Sequence, residues 1–300
     1  MEKNLSSIDK LISKAKKGST KAIVDLAEAY YFGVKKKGDK KINDSSKICP
    51  KDPKEAVKWF KIGAAKGDVH CLDFLGYCYH MGDGVEQNNF KARKYWELSA
   101  KKGSSAALSN LGIFYENGWS VPKNLKKALL YFNRNIKIKK KNPHRTHCLY
   151  AIARIYTDGG QGIKKDLKKM IKYFKLSAKG GNLRAAYELV NMFSSDSKPN
   201  SEKYEKYRDI KEDKVLYYKY SLFLSKKKLF YGDLNLAEIY KNKIKEGKNI
   251  SENRKKYKKY LKLAKENMKN LDIIEQMGFD RETTELYKEY LKTMSEANDE

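Results

Sequence analysis

The sequence predicts an all-α stack of antiparallel helix pairs, and three observations carry that reading. A pattern of apolar, small and aromatic residues recurs at a fixed period, glycines fall where helices should end, and apolar positions follow helical spacing. Leu75-Gly76, Tyr79, Gly82, Val85, Ala92 and Tyr95-Trp96 return 36 residues later as Leu111-Gly112, Tyr115, Gly118, Val121, Ala128 and Tyr131-Phe132. Recurrence at such a period marks a repeat array in which neighbouring units bury each other's apolar faces.

Taken in order, Ser6–Lys17 reads as a capping helix, with Ile8, Leu11, Ile12 and Ala15 on one stripe. Six units then cover approximately 19–68, 69–104, 105–142, 143–182, 183–228 and 229–270. In each, helix A places a small residue beside an apolar one: Ala27, Gly76, Gly112, Ala153, Val190 and Ala237. A small side chain there lets a neighbouring helix approach closely. Three residues on, Tyr30, Tyr79, Tyr115, Tyr156, Phe193 and Tyr240 form an aromatic column. Gly33, Gly82, Gly118 and Gly159 follow at the helix end, where a left-handed residue is favoured. A polar loop such as Asn88-Asn89 or Pro122-Lys123-Asn124 starts helix B, whose face runs Ala-x-x-aromatic-aromatic-x-x-x-Ala. Gly67, Gly103 and Gly181 end it. The first unit carries an insertion at 34–51, and another polar stretch lies at roughly 195–212. Residues 271–300 form a second cap, with Leu286, Tyr290 and Met294 as its apolar positions, and an acidic tail.

The order Leu-Gly-x-x-Tyr-x-x-Gly-x-Gly-Val, followed by Lys-Ala-x-x-Tyr-Trp-x-x-x-Ala-x-x-Gly, resembles the Sel1-like repeat. Residues 71–103 match nearly throughout and 107–132 closely. The resemblance implies a tetratricopeptide-like, right-handed α/α superhelix of about six Sel1-like pairs, with the A helices lining the concave side. It also implies an adaptor or scaffold.

Composition narrows the function. No apolar run approaches the roughly 20 residues of a membrane span, and the N-terminus lacks the apolar core of a secretory signal. A cytoplasmic protein is expected, although a protein exported without a cleaved signal has the same features. The net charge of +28 favours an acidic partner and invites a nucleic-acid or polyanion reading. Only eight of the 65 basic residues are arginine, the preferred reader of phosphate and guanine. For that alternative, Lys165, Lys168, Lys169 and Lys172, with Lys175 and Lys179, fall on helix B of unit four, and Lys258 and Lys262 on helix B of unit six. A solvated charged face is the plainer reading of both runs. Tyr257 and Tyr260 stand where helix B keeps its aromatic pair.

Catalysis is not expected. Cys71 and Cys148 share the slot four before the Leu-Gly leucine, where other units carry Ala22, Ala107, Ala185 and Gly232, so both are small core residues. Cys78 also aligns with core positions, which leaves Cys49, in the insertion, as the reactive one. His144-x-x-His147-Cys148 has a metal-like spacing, but Cys148 is in the buried slot and a fourth ligand is not apparent. There is no phosphate loop and no Gly-x-Ser-x-Gly. Neither a metal nor a cofactor is expected.

The binding residues are expected in the slots that vary between units. In helix A these lie two before, two after and five after the leucine, on one stripe. They are Val24, Glu28 and Tyr31; Asp73, Tyr77 and His80; Ser109, Ile113 and Glu116; Tyr150, Arg154 and Thr157; Tyr187, Asn191 and Ser194. Asp73, Tyr77, His80, Glu116, Tyr150, Arg154, Tyr187 and Asn191 are the candidate contacts, led by the tyrosines and the arginine, residue types enriched at binding hot spots.

Overall fold

The computed structural model describes residues 7–35, 47–193 and 213–267. The insertion interior, the polar stretch before 213 and the expected C-terminal cap lie outside them. The described residues form an all-α array of helix pairs, with one short strand pair. After α1 (Ser7–Lys16), the pairs are α2 (Thr20–Phe32) with α3 (Pro53–Ala65) and α4 (Val69–Met81) with α5 (Asn89–Lys101). Next come α6 (Ser105–Asn117) with α7 (Leu125–Ile136), and α8 (Arg145–Asp158) with α9 (Leu167–Lys179). Then follow α10 (Leu183–Phe193) with α11 (Lys214–Lys226), and α12 (Phe230–Lys245) with α13 (Ile250–Asn267). The insertion is bracketed by β1 (Val34–Lys35) and β2 (Lys47–Cys49), which pair antiparallel. Two compact units divide at Cys148 and Leu149, within α8.

Local sequence explains the regularity. The residue before most helices accepts a hydrogen bond from the N–H three residues on: Asp52 from Glu55, Asp68 from Cys71, Asn88 from Lys91, Ser104 from Ala107, Asn124 from Lys127 and Asp166 from Lys169. Each such cap contributes about 1 kcal/mol. The A–B loop is fixed twice. Gly82 and Gly118 close their helices in the left-handed region at φ 75° and 76°. Beyond them, the Asn88 and Asn124 N–H groups donate back to the Tyr79 and Tyr115 carbonyls at 2.7 and 2.8 Å.

The small slot and the aromatic slot meet inside each pair. A Cβ built on Gly76 falls 2.3 Å from the Trp96 indole nitrogen, and one on Gly112 falls 2.2 Å from the Phe132 ring. Cys71, Ala107 and Cys148 are fully buried, as their slot requires. The aromatic column has a second partner. Tyr79, Tyr115, Tyr156 and Tyr240 stack nearly parallel on Tyr95, Tyr131, Tyr173 and Tyr260, with centroids 5.6, 5.7, 6.2 and 5.7 Å apart. Lys91, Lys127, Lys169 and Lys256, one helical turn before each second tyrosine, place their ammonium groups over the first ring at 4.9–5.5 Å. Part of the lysine excess is therefore architectural.

One buried charge is costly. Asp233 on α12 is fully buried, accepting from Ser225 Oγ at 2.6 Å and Asn267 Nδ2 at 2.8 Å. Desolvation raises its pKa above the ordinary 3.8, against the two hydrogen bonds. The folded state then binds this proton more tightly than the unfolded chain, so stability falls as pH rises from 3.8 through the folded pKa. Asp233→Asn is expected to raise the urea midpoint at pH 7, with the gain vanishing as pH drops below about 4. A constant loss at every pH counts against this account.

Candidate functional site

In the first unit the exposed edge of helices α2 and α4 carries the most accessible apolar surface on the A helices. Tyr77 is 43% exposed, and Met81, one turn further along α4, is 56% exposed. Phe74 precedes Tyr77 by three residues on the same side and stacks on the buried Phe60, with centroids 4.9 Å apart. Phe32, at the end of α2, packs edge-on to Phe74 at 6.0 Å and is 63% exposed. The aromatic surface is thus anchored in the core from beneath. Beside it, the His80 ring stacks on Trp119 at 4.7 Å, and its Nδ1 lies 2.7 Å from Asn89 Oδ1. The neighbouring polar groups pair locally: Tyr31 donates to Asp83 at 2.7 Å, and His70 Nε2 lies 2.7 Å from Glu28. The surface this leaves suits apolar and aromatic contact more than ion pairing.

The expected contact residues separate into different roles. Tyr77 and Arg154 are exposed, whereas His80 and Glu116 are half-buried. Asp73 is a tie between repeats: its Oδ2 accepts from Ser104 Oγ at 2.6 Å, and Ser104 in turn caps α6. Burial pushes the Asp73 carboxyl up, opposed by the Ser104 and Ser99 hydroxyls, and its Oδ1 is buried without a partner. Tyr187 departs from its expected exposure. It is 7% exposed and packs edge-on to Tyr231 at 5.1 Å. Tyr150 is half-buried against Phe174 at 5.6 Å, and burial pushes its phenol up to about 12. Asn191 is half-buried, with its Nδ2 unpartnered. Thr157 and Ser109 are buried as well. The physical reason is stacking. The slot two before the leucine faces the next repeat, as Asp73 meets Ser104 and Tyr187 meets Tyr231, so variation there reflects matched neighbours rather than solvent exposure.

The lysine-rich faces are also smaller than expected. Lys165 precedes α9 and is not on it. Lys169 pairs with Asp166 at 3.1 Å and covers the Tyr156 ring. Lys168, Lys172, Lys175 and Lys179 keep one stripe of α9, and Lys258 and Lys262 are exposed one turn apart on α13. Cys49 departs from its expected reactivity: it is 1% exposed, and burial pushes its thiol up. Cys148 is likewise buried, its thiol pushed up to about 11, while burial lowers His144. Among the described residues, no three His, Cys, Asp or Glu side chains converge as a metal site, and no helix is long and apolar enough to cross a membrane.

Phe32, Met81 and Trp119 were not anticipated as site residues. Phe32 and Met81 occupy one slot, six after the leucine and just before the capping glycine, and that shared register is the signal that points to them. Read as part of the helix end, the slot hides its exposure.

The Sel1 repeat model matches residues 44–68, 69–104, 105–134 and 146–182. The fold is similar to a Sel1 repeat protein from Oxalobacter formigenes at TM-score 0.58 and 18% identity, covering 87% of this chain and 99% of that one. It is also similar to c5321, a protective antigen of uropathogenic Escherichia coli displaying the same repeat fold, at TM-score 0.59 and 19% identity. That match covers 86% of this chain but 48% of the antigen, so this chain spans about half the antigen's length. No curated protein matches the sequence.

Proposed function

We propose, since the chain belongs to the Sel1 repeat family, that it is a non-catalytic scaffold holding a partner protein or peptide on the exposed A-helix edge of its first unit. Sel1 repeat proteins generally mediate protein–protein interaction, and the scaffold family is generally non-catalytic. The observation that carries the reading is the surface formed by Phe32, Tyr77, Met81 and Trp119, in which Phe32 packs on Phe74 and Trp119 packs on the buried Phe114. Rigid aromatic contacts lose little side-chain freedom on binding, and aromatic residues and methionine are enriched at interfaces.

Affinity capture from nuclease-treated native lysate at about physiological salt tests it, because weak polyanion contacts are screened there. A stoichiometric protein partner is expected with the unaltered chain. Tyr77→Ala with Met81→Asp should weaken its retention by about 2 kcal/mol or more, roughly thirtyfold. Retention unchanged by both substitutions, or lost entirely to the nuclease, contradicts the assignment.

A further inference from the structure

Beyond that surface, we propose that the groove between the B helices α9 and α11, in the second unit, docks an amphipathic helical segment of a protein partner that carries acidic residues beside its apolar stripe. The groove encloses about 660 Å³. Its floor is apolar, formed by Leu176, Phe223 and the aliphatic and aromatic residues beneath them, and its rim is cationic, with Lys172, Lys175 and Lys179 on one wall and Lys219 on the other. Leu176 is 43% exposed, and Tyr220, which lines the same groove, is nearly buried.

The partner's chemistry follows from the two components together. A leucine at the floor of a groove between two helices is the arrangement that takes side chains spaced three and four along an amphipathic helix. The wall lysines are spaced three and four residues along α9 and extend about 10 Å at 1.5 Å per residue, two turns of such a helix. None of the four forms an ion pair among the described residues. Charge complementarity therefore selects aspartate or glutamate flanking the partner's apolar stripe. A phosphate backbone satisfies the lysines but leaves Leu176 and Phe223 in water, so nucleic acid fits the rim and not the floor.

The site is independent of the A-helix surface, and its test is built to fail separately. A displayed library of randomised helix-forming peptides of about 16 residues, selected on the full chain at about 150 mM salt, supplies the probe. The selected peptides are then synthesised and titrated. The expected class has apolar residues at three–four spacing with flanking Asp or Glu. Its binding should weaken at least about tenfold on Leu176→Asp and on Lys179→Glu with Lys219→Glu, while Tyr77→Ala with Met81→Asp leaves it unchanged. Circular dichroism and thermal melting confirm that each variant is folded. Three outcomes overturn the proposal: no acidic amphipathic peptide is selected, the selected peptides tolerate Leu176→Asp, or a single-stranded oligonucleotide of equal charge binds equally well and tolerates the same substitution.

Discussion

Replacing Phe132 by alanine is expected to cost about 3–5 kcal/mol, among the largest effects of any single truncation in the first unit. The ring is fully buried and sits directly against the Gly112 backbone of α6, holding the two helices of its repeat together. Truncation leaves a cavity that α6 and α7 close only partly, since each is also held by its neighbouring repeats. Because every unit of an array stabilises the next, a broadened or biphasic urea transition is expected in place of a simple shift. Equilibrium unfolding followed by far-ultraviolet circular dichroism and by tryptophan fluorescence checks both; a loss under about 1 kcal/mol is inconsistent with this packing.

The reciprocal change tests the same contact from the other side. In an ordinary helix interior, glycine to alanine gains about 1 kcal/mol. Gly112→Ala is expected instead to cost about 1–3 kcal/mol, because the new methyl falls 2.2 Å from the Phe132 ring. Gly76→Ala meets the Trp96 indole in the same way at 2.3 Å. The double variant Gly112→Ala with Phe132→Ala separates steric conflict from propensity. There the methyl partly fills the cavity, so the pair should be less destabilised than the sum of its members. Strict additivity contradicts the close contact.

These two residues also show what is legible in the sequence. The 36-residue recurrence of Leu75-Gly76 and Tyr95-Trp96 in Leu111-Gly112 and Tyr131-Phe132 fixes both the helix pairs and the need for a small residue. It does not say which atoms fill the space that glycine leaves, because that depends on how the second helix crosses the first. The parallel tyrosine stacks with a lysine above them were present in register as Lys91, Lys127, Lys169 and Lys256, but charge alone made them resemble solvated residues.

The binding surface is read less well, for a reason of geometry. Aligning repeats distinguishes constant slots from variable ones, and constant slots are core. Variable slots, however, include positions that contact the next repeat, so Tyr187 and Asp73 vary while facing Tyr231 and Ser104. Tyr77 is exposed, whereas Glu28, Ile113 and Asn191 in the same slot are half-buried. Cys49 misleads differently, since an inserted polar segment suggests exposure, while β2 carries its thiol into a buried position. The α9–α11 groove lies beyond any single-repeat alignment, because its walls come from two successive repeats.

The most direct test of the scaffold assignment is amide hydrogen exchange on the full chain, with and without a partner recovered by the capture experiment. The account predicts slowed exchange at the C-terminal turns of α2 and α4 and in the loop holding Trp119, abolished together with binding by Tyr77→Ala and Met81→Asp. Protection confined to the lysine-bearing B helices, with those turns unchanged, contradicts it.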